Sequence, residues 1–108
     1  MVYTRTRRQW GARGNGGSSI GHVSEVIAHT EAGANISANA AIAQEEQRMR
    51  AIDAFHLSLR WPGGFGYSAA IFPSGRVYEG RGYGRSGAHT QGRNRVALAF
   101  VIYRKSVV

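Results

Sequence analysis

The chain contains no cysteine, which excludes disulfide bonds and thiolate metal ligands. It also contains little acid: six aspartates and glutamates stand against 14 basic residues, all but one of them arginine. No apolar run approaches the roughly 18 residues of a membrane-spanning helix. The arginine-bearing N-terminus lacks the apolar core that a signal peptide needs. We therefore expect neither a membrane span nor a signal peptide.

The formal net charge is +8. Such a charge favours nucleic acid, anionic lipid surfaces or the anionic polymers of bacterial envelopes as partners. A solubilising, arginine-rich surface explains the same charge equally well. Because the arginines are spread along the chain and form no single cluster, we do not expect nucleic acid as a partner. The length of 108 residues fits one domain, which we expect to be a monomer.

Hydrophobic periodicity predicts one long helix and four short strands. The predicted elements are, in chain order, a strand at residues 26–30, a helix at 42–59, a hairpin of strands 67–72 and 76–79 around a turn at 73–75, and a central strand at 96–103. A helix packed on such a sheet makes a mixed α/β fold.

The predicted helix has an apolar stripe at three- and four-residue spacing. The stripe consists of Met49, Ile52, Phe55 or His56, and Leu59. Charged residues such as Glu45 fall off this stripe. Ser37 or Asn39 is the expected N-cap, and the Pro-Gly-Gly sequence at 62–64 ends the helix.

Three side chains stand out on these predicted elements. His29 ends the first apolar run, so its neutral imidazole is either a ligand or base in a site or a histidine bonded to backbone. His56 lies on the helix stripe, as a partly buried histidine bonded to a neighbour or as the wall of a groove. Tyr67 begins a strand, and its phenol either donates a hydrogen bond to a substrate carbonyl or is an ordinary strand tyrosine.

A glycine-rich stretch at residues 61–95 adds further polar candidates and is a plausible ligand groove. Glycine lets the backbone approach a ligand closely, and arginine offers a planar fork to carboxylates. The candidates are Glu79, Arg81, His89 and Asn94, with solvated loop residues as the alternative. Residues 82–87 also match GxGxxG, but they open no helix and no acidic residue lies about 20 positions on, so we reject a dinucleotide site.

Together these segments resemble the family of peptidoglycan recognition proteins and type 2 N-acetylmuramoyl-L-alanine amidases, which includes phage endolysins. The matching pieces, in the family's order, are residues 8–13 (RQWGAR), 26–30 (VIAHT), 55–57 (FHL) with 66–67 (GY), and 75–83 (GRVYEGRGY) with 87–90 (GAHT) and Asn94. The resemblance implies a zinc enzyme that cuts the bond between N-acetylmuramic acid and the L-alanine of the stem peptide.

The resemblance also implies a role for each matching residue. His29 matches the histidine that binds Zn²⁺, and Tyr67 matches the tyrosine that assists the zinc-bound water or the scissile carbonyl. The positions that line or support the peptidoglycan groove are matched by His56, Arg81, His89, Thr90 and Asn94.

The metal site is where the sequence departs from the family. The family takes its second and third zinc ligands from a later histidine and from a cysteine or aspartate soon after it, and the sequence ends at Val108 before either. Three interpretations stay open. The chain is a truncated amidase domain, or a degenerate member that still binds peptidoglycan, or it has recruited His89 as a replacement ligand at a position that the family does not use for zinc.

We therefore expect residues 1–108 to form a single α/β domain, a mixed sheet with packed helices, corresponding to the N-terminal and central part of the family domain. The expected function is zinc-dependent hydrolysis of the muramoyl–L-alanine amide in peptidoglycan. The alternative is a non-catalytic peptidoglycan-binding module that lacks a complete zinc site. We expect the protein to be made in the cytoplasm and to act on the bacterial cell wall, as a phage endolysin does.

Overall fold

The computed structural model of the protein describes residues 3–31 and 35–103. Two helices and four strands follow one another as α1 (Arg7–Trp10), β1 (Glu25–His29), α2 (Ile42–Ser58), β2 (Ala69–Ile71), β3 (Val77–Glu79) and β4 (Ala97–Ile102). The predicted order and the mixed α/β class are confirmed. Helix α1 was not predicted, because its four residues are too few to show a helical period. Neither helix in this part of the chain is long and apolar enough to cross a membrane.

The sheet has the strand order β1-β4-β2-β3. Strand β4 runs parallel to both β1 and β2, whereas β2 and β3 form the antiparallel hairpin that the turn at 73–75 predicts. Strand β4 is therefore central, as predicted. Its inward-facing residues Ala97, Ala99 and Val101 are fully buried, which suits a strand covered by its neighbours.

The buried face of helix α2 differs from the predicted apolar stripe. Its buried residues are Glu45, Met49, Asp53 and His56. Met49 is buried as predicted, and of the alternatives Phe55 and His56 the buried one is His56, whereas Phe55 is 55% exposed. Leu59 is 43% exposed, so its assignment to the stripe is wrong. Helical spacing identifies a face, but here polar residues with buried partners occupy it.

Glu45 shows why a charged residue lies on that face. Its carboxylate accepts hydrogen bonds from the Tyr78 hydroxyl (2.8 Å) and the Ser74 hydroxyl (2.6 Å), and it pairs with the Arg76 guanidinium at 3.0 Å. These bonds replace the water that Glu45 loses on burial. They attach the β2–β3 hairpin to helix α2.

The predicted helix cap is also wrong. The N-cap is Ala41, whose side chain makes no capping hydrogen bond. The Ser37 hydroxyl instead accepts from the backbone N–H of Asn39 at 3.0 Å, within the turn before the helix. At the other end, Leu59 is the C-cap and Arg60 adopts a left-handed φ of 65°.

The N-terminal segment is fastened to the end of β3. Helix α1 begins with a capping box between Thr6 and Gln9. Trp10 is fully buried, and its indole N–H donates to the Glu79 carbonyl at 2.7 Å. The Arg7 guanidinium donates to the carbonyl oxygens of Gly80 and Gly14. Arg7 and Trp10 therefore hold the backbone at Glu79 and Gly80 in place.

Candidate functional site

Three of the predicted site residues form a hydrogen-bonded chain at the end of β1. His29 is the last residue of that strand, and its Nε2 lies 3.1 Å from the Thr90 hydroxyl oxygen. The same oxygen lies 3.1 Å from Nδ1 of His89. The partner of His29 is thus a loop side chain from 61 residues further along the chain, not the neighbouring backbone.

Asn94 shapes the loop that carries these two residues. Its side-chain oxygen accepts from the backbone N–H of His89 at 2.8 Å and of Thr90 at 3.0 Å. One amide side chain thereby fixes two consecutive residues, as in other turns closed by asparagine. Asn94 supports the site through backbone geometry.

Tyr67 lies beside the histidines. Its ring centroid is 5.6 Å from that of His29 and 6.0 Å from that of His56. Burial raises the pKa of the Tyr67 phenol, and the nearby Glu31 carboxylate raises it further. The phenol therefore stays protonated at neutral pH and is available as a hydrogen-bond donor.

His56 is buried behind this cluster. Its Nδ1 accepts the backbone N–H of Gly66 at 2.9 Å, which matches the interpretation of a buried histidine bonded to a neighbour. Burial lowers the pKa of His56, and the Arg81 charge lowers it further. Gly66 admits no side chain here, because a Cβ would collide with the Ala88 carbonyl oxygen. The hydrogen bond between His56 and Gly66 therefore fixes the backbone directly before Tyr67.

Arg81 is placed differently from the expectation that its guanidinium offers a fork to a ligand carboxylate. The side chain is buried, and its nitrogens donate to the carbonyl oxygens of Phe65 (3.0 Å), Gly64 (3.1 Å) and Ser86 (3.1 Å). Burial and the nearby charge of Arg7 lower its pKa. Arg81 therefore supports the groove by holding loop carbonyls, and its fork is occupied by the protein itself.

Two open chambers meet at Trp61 and Ala88, which line both. The small chamber has a volume of about 430 Å³, and its other lining residues are His89, Thr90, Gln91 and Asn94. The large chamber has a volume of about 470 Å³, and its other lining residues are Asn15, Gly17, Ser18, Arg60, Pro62, Gly63, Arg81, Ser86 and Gly87. The two chambers form one groove that Trp61 divides.

The sequence did not identify two residues of the large chamber as site residues. Arg60 is exposed, and its left-handed backbone follows the end of helix α2. Trp61 is half-buried, and its ring centroid lies 4.9 Å from that of His56. An aromatic residue directly after a helix end was the available signal for Trp61, whereas nothing in the sequence signals the backbone conformation of Arg60.

The residues around His29 do not fit the zinc centre that the resemblance implies. Catalytic zinc usually takes three protein ligands. Within the described residues, 3–31 and 35–103, no group of three histidine, cysteine or acidic side chains could hold a metal ion. His89 is the neighbouring histidine, with its ring centroid 6.2 Å from that of His29, and the described residues add no third ligand to these two.

Comparison with known proteins finds sequence relatives of the chain. No family-wide sequence profile matches it. It is 36% identical over 91 residues to peptidoglycan-recognition protein SC1a/b of Drosophila simulans, an alignment that covers 82% of this chain and 47% of that protein. It is 37% identical over 57 residues to human peptidoglycan recognition protein 4, covering 53% of this chain and 15% of that protein.

Solved structures share the fold. A variant of Drosophila PGRP-LB in complex with tracheal cytotoxin matches with a TM-score of 0.73 and 28% identity, over 90% of this chain and 57% of that chain. Drosophila PGRP-SA matches with a TM-score of 0.81 and 25% identity, over 94% of this chain and 58% of that chain. The architecture is thus the amidase-like fold of peptidoglycan recognition proteins.

The chain belongs to the peptidoglycan recognition protein and type 2 amidase family, and the resemblance seen in the sequence is confirmed. It spans about half the length of the Drosophila relatives that it matches, with 47% of their sequence covered.

Proposed function

We propose that this chain binds muramyl peptides of bacterial peptidoglycan in the groove that Trp61 divides. The observation that carries the proposal is the different chemistry of the two chambers. Neutral donors and acceptors line the small chamber, whereas the large chamber has the exposed Arg60 at its side and no acidic lining residue in the described part of the chain. A related structure, that of PGRP-LB, holds tracheal cytotoxin.

The two linings suit the two kinds of group in a muramyl peptide. Amide and hydroxyl groups pair with the threonine and glutamine side chains of the small chamber. The carboxylates of a stem peptide suit the Arg60 guanidinium, which can bind them with two parallel hydrogen bonds. Trp61 offers an aromatic face to the apolar side of a sugar or to an alkyl chain.

Calorimetric titration with a muramyl tripeptide tests this assignment. Because Arg60 is exposed and water competes for its bonds, we expect the pair to contribute no more than one charged hydrogen bond, about 1.5–3 kcal/mol. Arg60→Ala should therefore weaken binding roughly 10- to 100-fold. Arg8→Ala is the matched control, since Arg8 is exposed on α1 and lines neither chamber. Equal weakening by both variants would indicate general charge attraction and contradict a site at Arg60.

Hydrolysis of the muramoyl–L-alanine amide is the second candidate function. The observation in its favour is the protonated Tyr67 phenol beside His29. His29 is the one residue that we assign to Zn²⁺, and the described residues bring no further ligands to it.

Zinc content and product release test hydrolysis separately from binding. The chain is loaded with zinc, dialysed and analysed by elemental mass spectrometry beside His29→Ala. One zinc per chain that is lost in the variant, together with new amino termini released from purified cell wall, supports an amidase. Binding of muramyl tripeptide without zinc or product identifies a recognition module.

We further propose that the protein acts on the bacterial wall after synthesis in the cytoplasm, as a monomer. The family membership and the polar groove support this site of action. Purified protein added to permeabilised bacteria should sediment with the cell wall. A protein that stays in the supernatant would contradict the proposal, and light scattering reports its mass in solution.

A further inference from the structure

The Thr90 hydroxyl lies between two imidazole rings. Its oxygen is 3.1 Å from Nε2 of His29 and 3.1 Å from Nδ1 of His89. A hydroxyl has a single hydrogen, so it can donate to only one of these nitrogens, and its bond to a nitrogen that it does not donate to requires an N–H there. The direction of the whole chain of hydrogen bonds therefore depends on one choice.

The far end of the chain makes that choice. Nε2 of His89 lies 3.3 Å from the Ala97 carbonyl oxygen, which can only accept. Nε2 of His89 must then carry a hydrogen, and in the neutral ring Nδ1 is bare. Thr90 accordingly donates its hydrogen to Nδ1 of His89.

We infer that Thr90 and His89 are positioning residues that hold His29 in the tautomer protonated at Nε2, with its lone pair on Nδ1. The Thr90 hydrogen is used on His89, so the Thr90 oxygen accepts from Nε2–H of His29. His29 is half-buried and lines neither chamber, and its Nδ1 is then the bare ring nitrogen that can accept a hydrogen bond from an N–H or O–H group of a ligand that reaches it. The ligand assignment rests on the proposed function, whereas the tautomer is a property of the free protein.

The opposite direction has a clear disadvantage. If Thr90 donated to His29, Nδ1–H of His89 would donate to Thr90 and Nε2 of His89 would be bare. Two lone pairs, on Nε2 and on the Ala97 carbonyl oxygen, would then face each other in a part-buried position. Ala97 is fully buried, so solvent offers its carbonyl little compensation.

Nuclear magnetic resonance of the chain labelled with ¹⁵N-histidine reads the tautomers directly, at about pH 8 where histidine is neutral. A bare ring nitrogen resonates far downfield of a protonated one. His56 is an internal reference, because its Nδ1 accepts a backbone N–H and Nε2 must carry the hydrogen. We expect His29 and His89 to show the same pattern, with a slowly exchanging Nε2 proton on His29.

Two substitutions separate the hydroxyl from the shape of Thr90. Thr90→Val keeps the branched side chain and removes the hydroxyl, and Thr90→Ser keeps the hydroxyl. In Thr90→Val the His29 proton should exchange rapidly and the two His29 nitrogen signals should move toward each other, while His56 signals stay unchanged and report an intact fold. Thr90→Ser should retain the wild-type pattern.

A bare Nε2 on His29 in the wild type, or His29 signals that are unaffected in Thr90→Val, would overturn the inference. The muramyl tripeptide is then added to the wild type, and Nδ1 of His29 should shift while Nε2 stays protonated. A bound ligand that leaves Nδ1 unshifted overturns the assigned acceptor. Failure of the ligand to bind, with the tautomer as expected, counts against the proposed function alone and leaves the tautomer supported.

Discussion

Asp53 ties together the two segments that border the large chamber, and its removal should be costly. The side chain is 1% exposed. One carboxylate oxygen accepts the backbone N–H of Phe65 at 2.8 Å, and the other accepts that of Arg13 at 2.7 Å. Hydrogen bonds to a charged group contribute about 1.5–3 kcal/mol each, so Asp53→Ala should lower the free energy of unfolding by about 3–6 kcal/mol. That is a large share of the roughly 5–15 kcal/mol of a typical domain.

Urea denaturation followed by tryptophan fluorescence measures the loss. Asp53→Asn keeps one acceptor and should lose about half as much, which keeps the test informative if the alanine variant does not fold. Gln47→Ala is the control, since Gln47 is exposed on the same helix and its replacement should change stability by no more than about 0.5 kcal/mol. An alanine variant within about 1 kcal/mol of wild type would refute the view that Asp53 holds both segments.

Gly66→Ala should destabilise the fold by about 1–3 kcal/mol in the same assay, because its Cβ would collide with the Ala88 carbonyl oxygen. Gly84 has open space around it, so Gly84→Ala should be near neutral. Equal effects of the two substitutions would contradict the close approach at Gly66. Arg81→Lys should also destabilise the fold, because one ammonium group cannot reach the three carbonyl oxygens that the guanidinium binds. Arg85→Lys, at an exposed position, is its control. An Arg81→Lys variant as stable as wild type would show that the guanidinium is not needed. Burial lowers the pKa values of His56 and His89, so below about pH 6.5 the unfolded chain binds more protons than the folded one. The urea midpoint should therefore fall between about pH 7.5 and 5.5, less steeply in His56→Gln, and a midpoint that rises toward acid would contradict the assigned burial.

The fold could be predicted from the sequence where apolar residues dominate. The runs around Ile27 and Phe100 gave strands β1 and β4, and the Pro-Ser-Gly turn gave the β2–β3 hairpin. Helix α2 was also predicted, but its buried face was predicted only in part, because Glu45 was placed off that face and is buried, and Leu59 was placed on it and is exposed. Periodicity counts apolar residues, and it cannot detect a buried carboxylate whose partners come from segments 12 to 40 residues away.

The candidate site was predicted through the family resemblance more than through spacing. His29, Thr90 and His89 come together because a parallel strand pair and a loop held by Asn94 bring distant segments into contact. The sequence alone left His29 open between a ligand and a backbone partner, and neither alternative named Thr90. Pairing between β1 and β4 is the step that no local pattern contains.

The high arginine content has a structural explanation in the loops. Glycine-rich segments without regular secondary structure leave carbonyl oxygens that need donors once they are buried. A guanidinium has five N–H donors, and Arg7 and Arg81 together bind the carbonyls of five loop residues. These residues are Gly14, Gly64, Phe65, Gly80 and Ser86. Part of the net charge thus comes from arginines that support the groove by binding loop carbonyl oxygens. Of the two arginines that line the large chamber, Arg60 is the exposed one, and its position suits a ligand carboxylate. The charges of Arg7 and Arg81 therefore have a structural role, since their guanidinium groups hold the loops that form the groove.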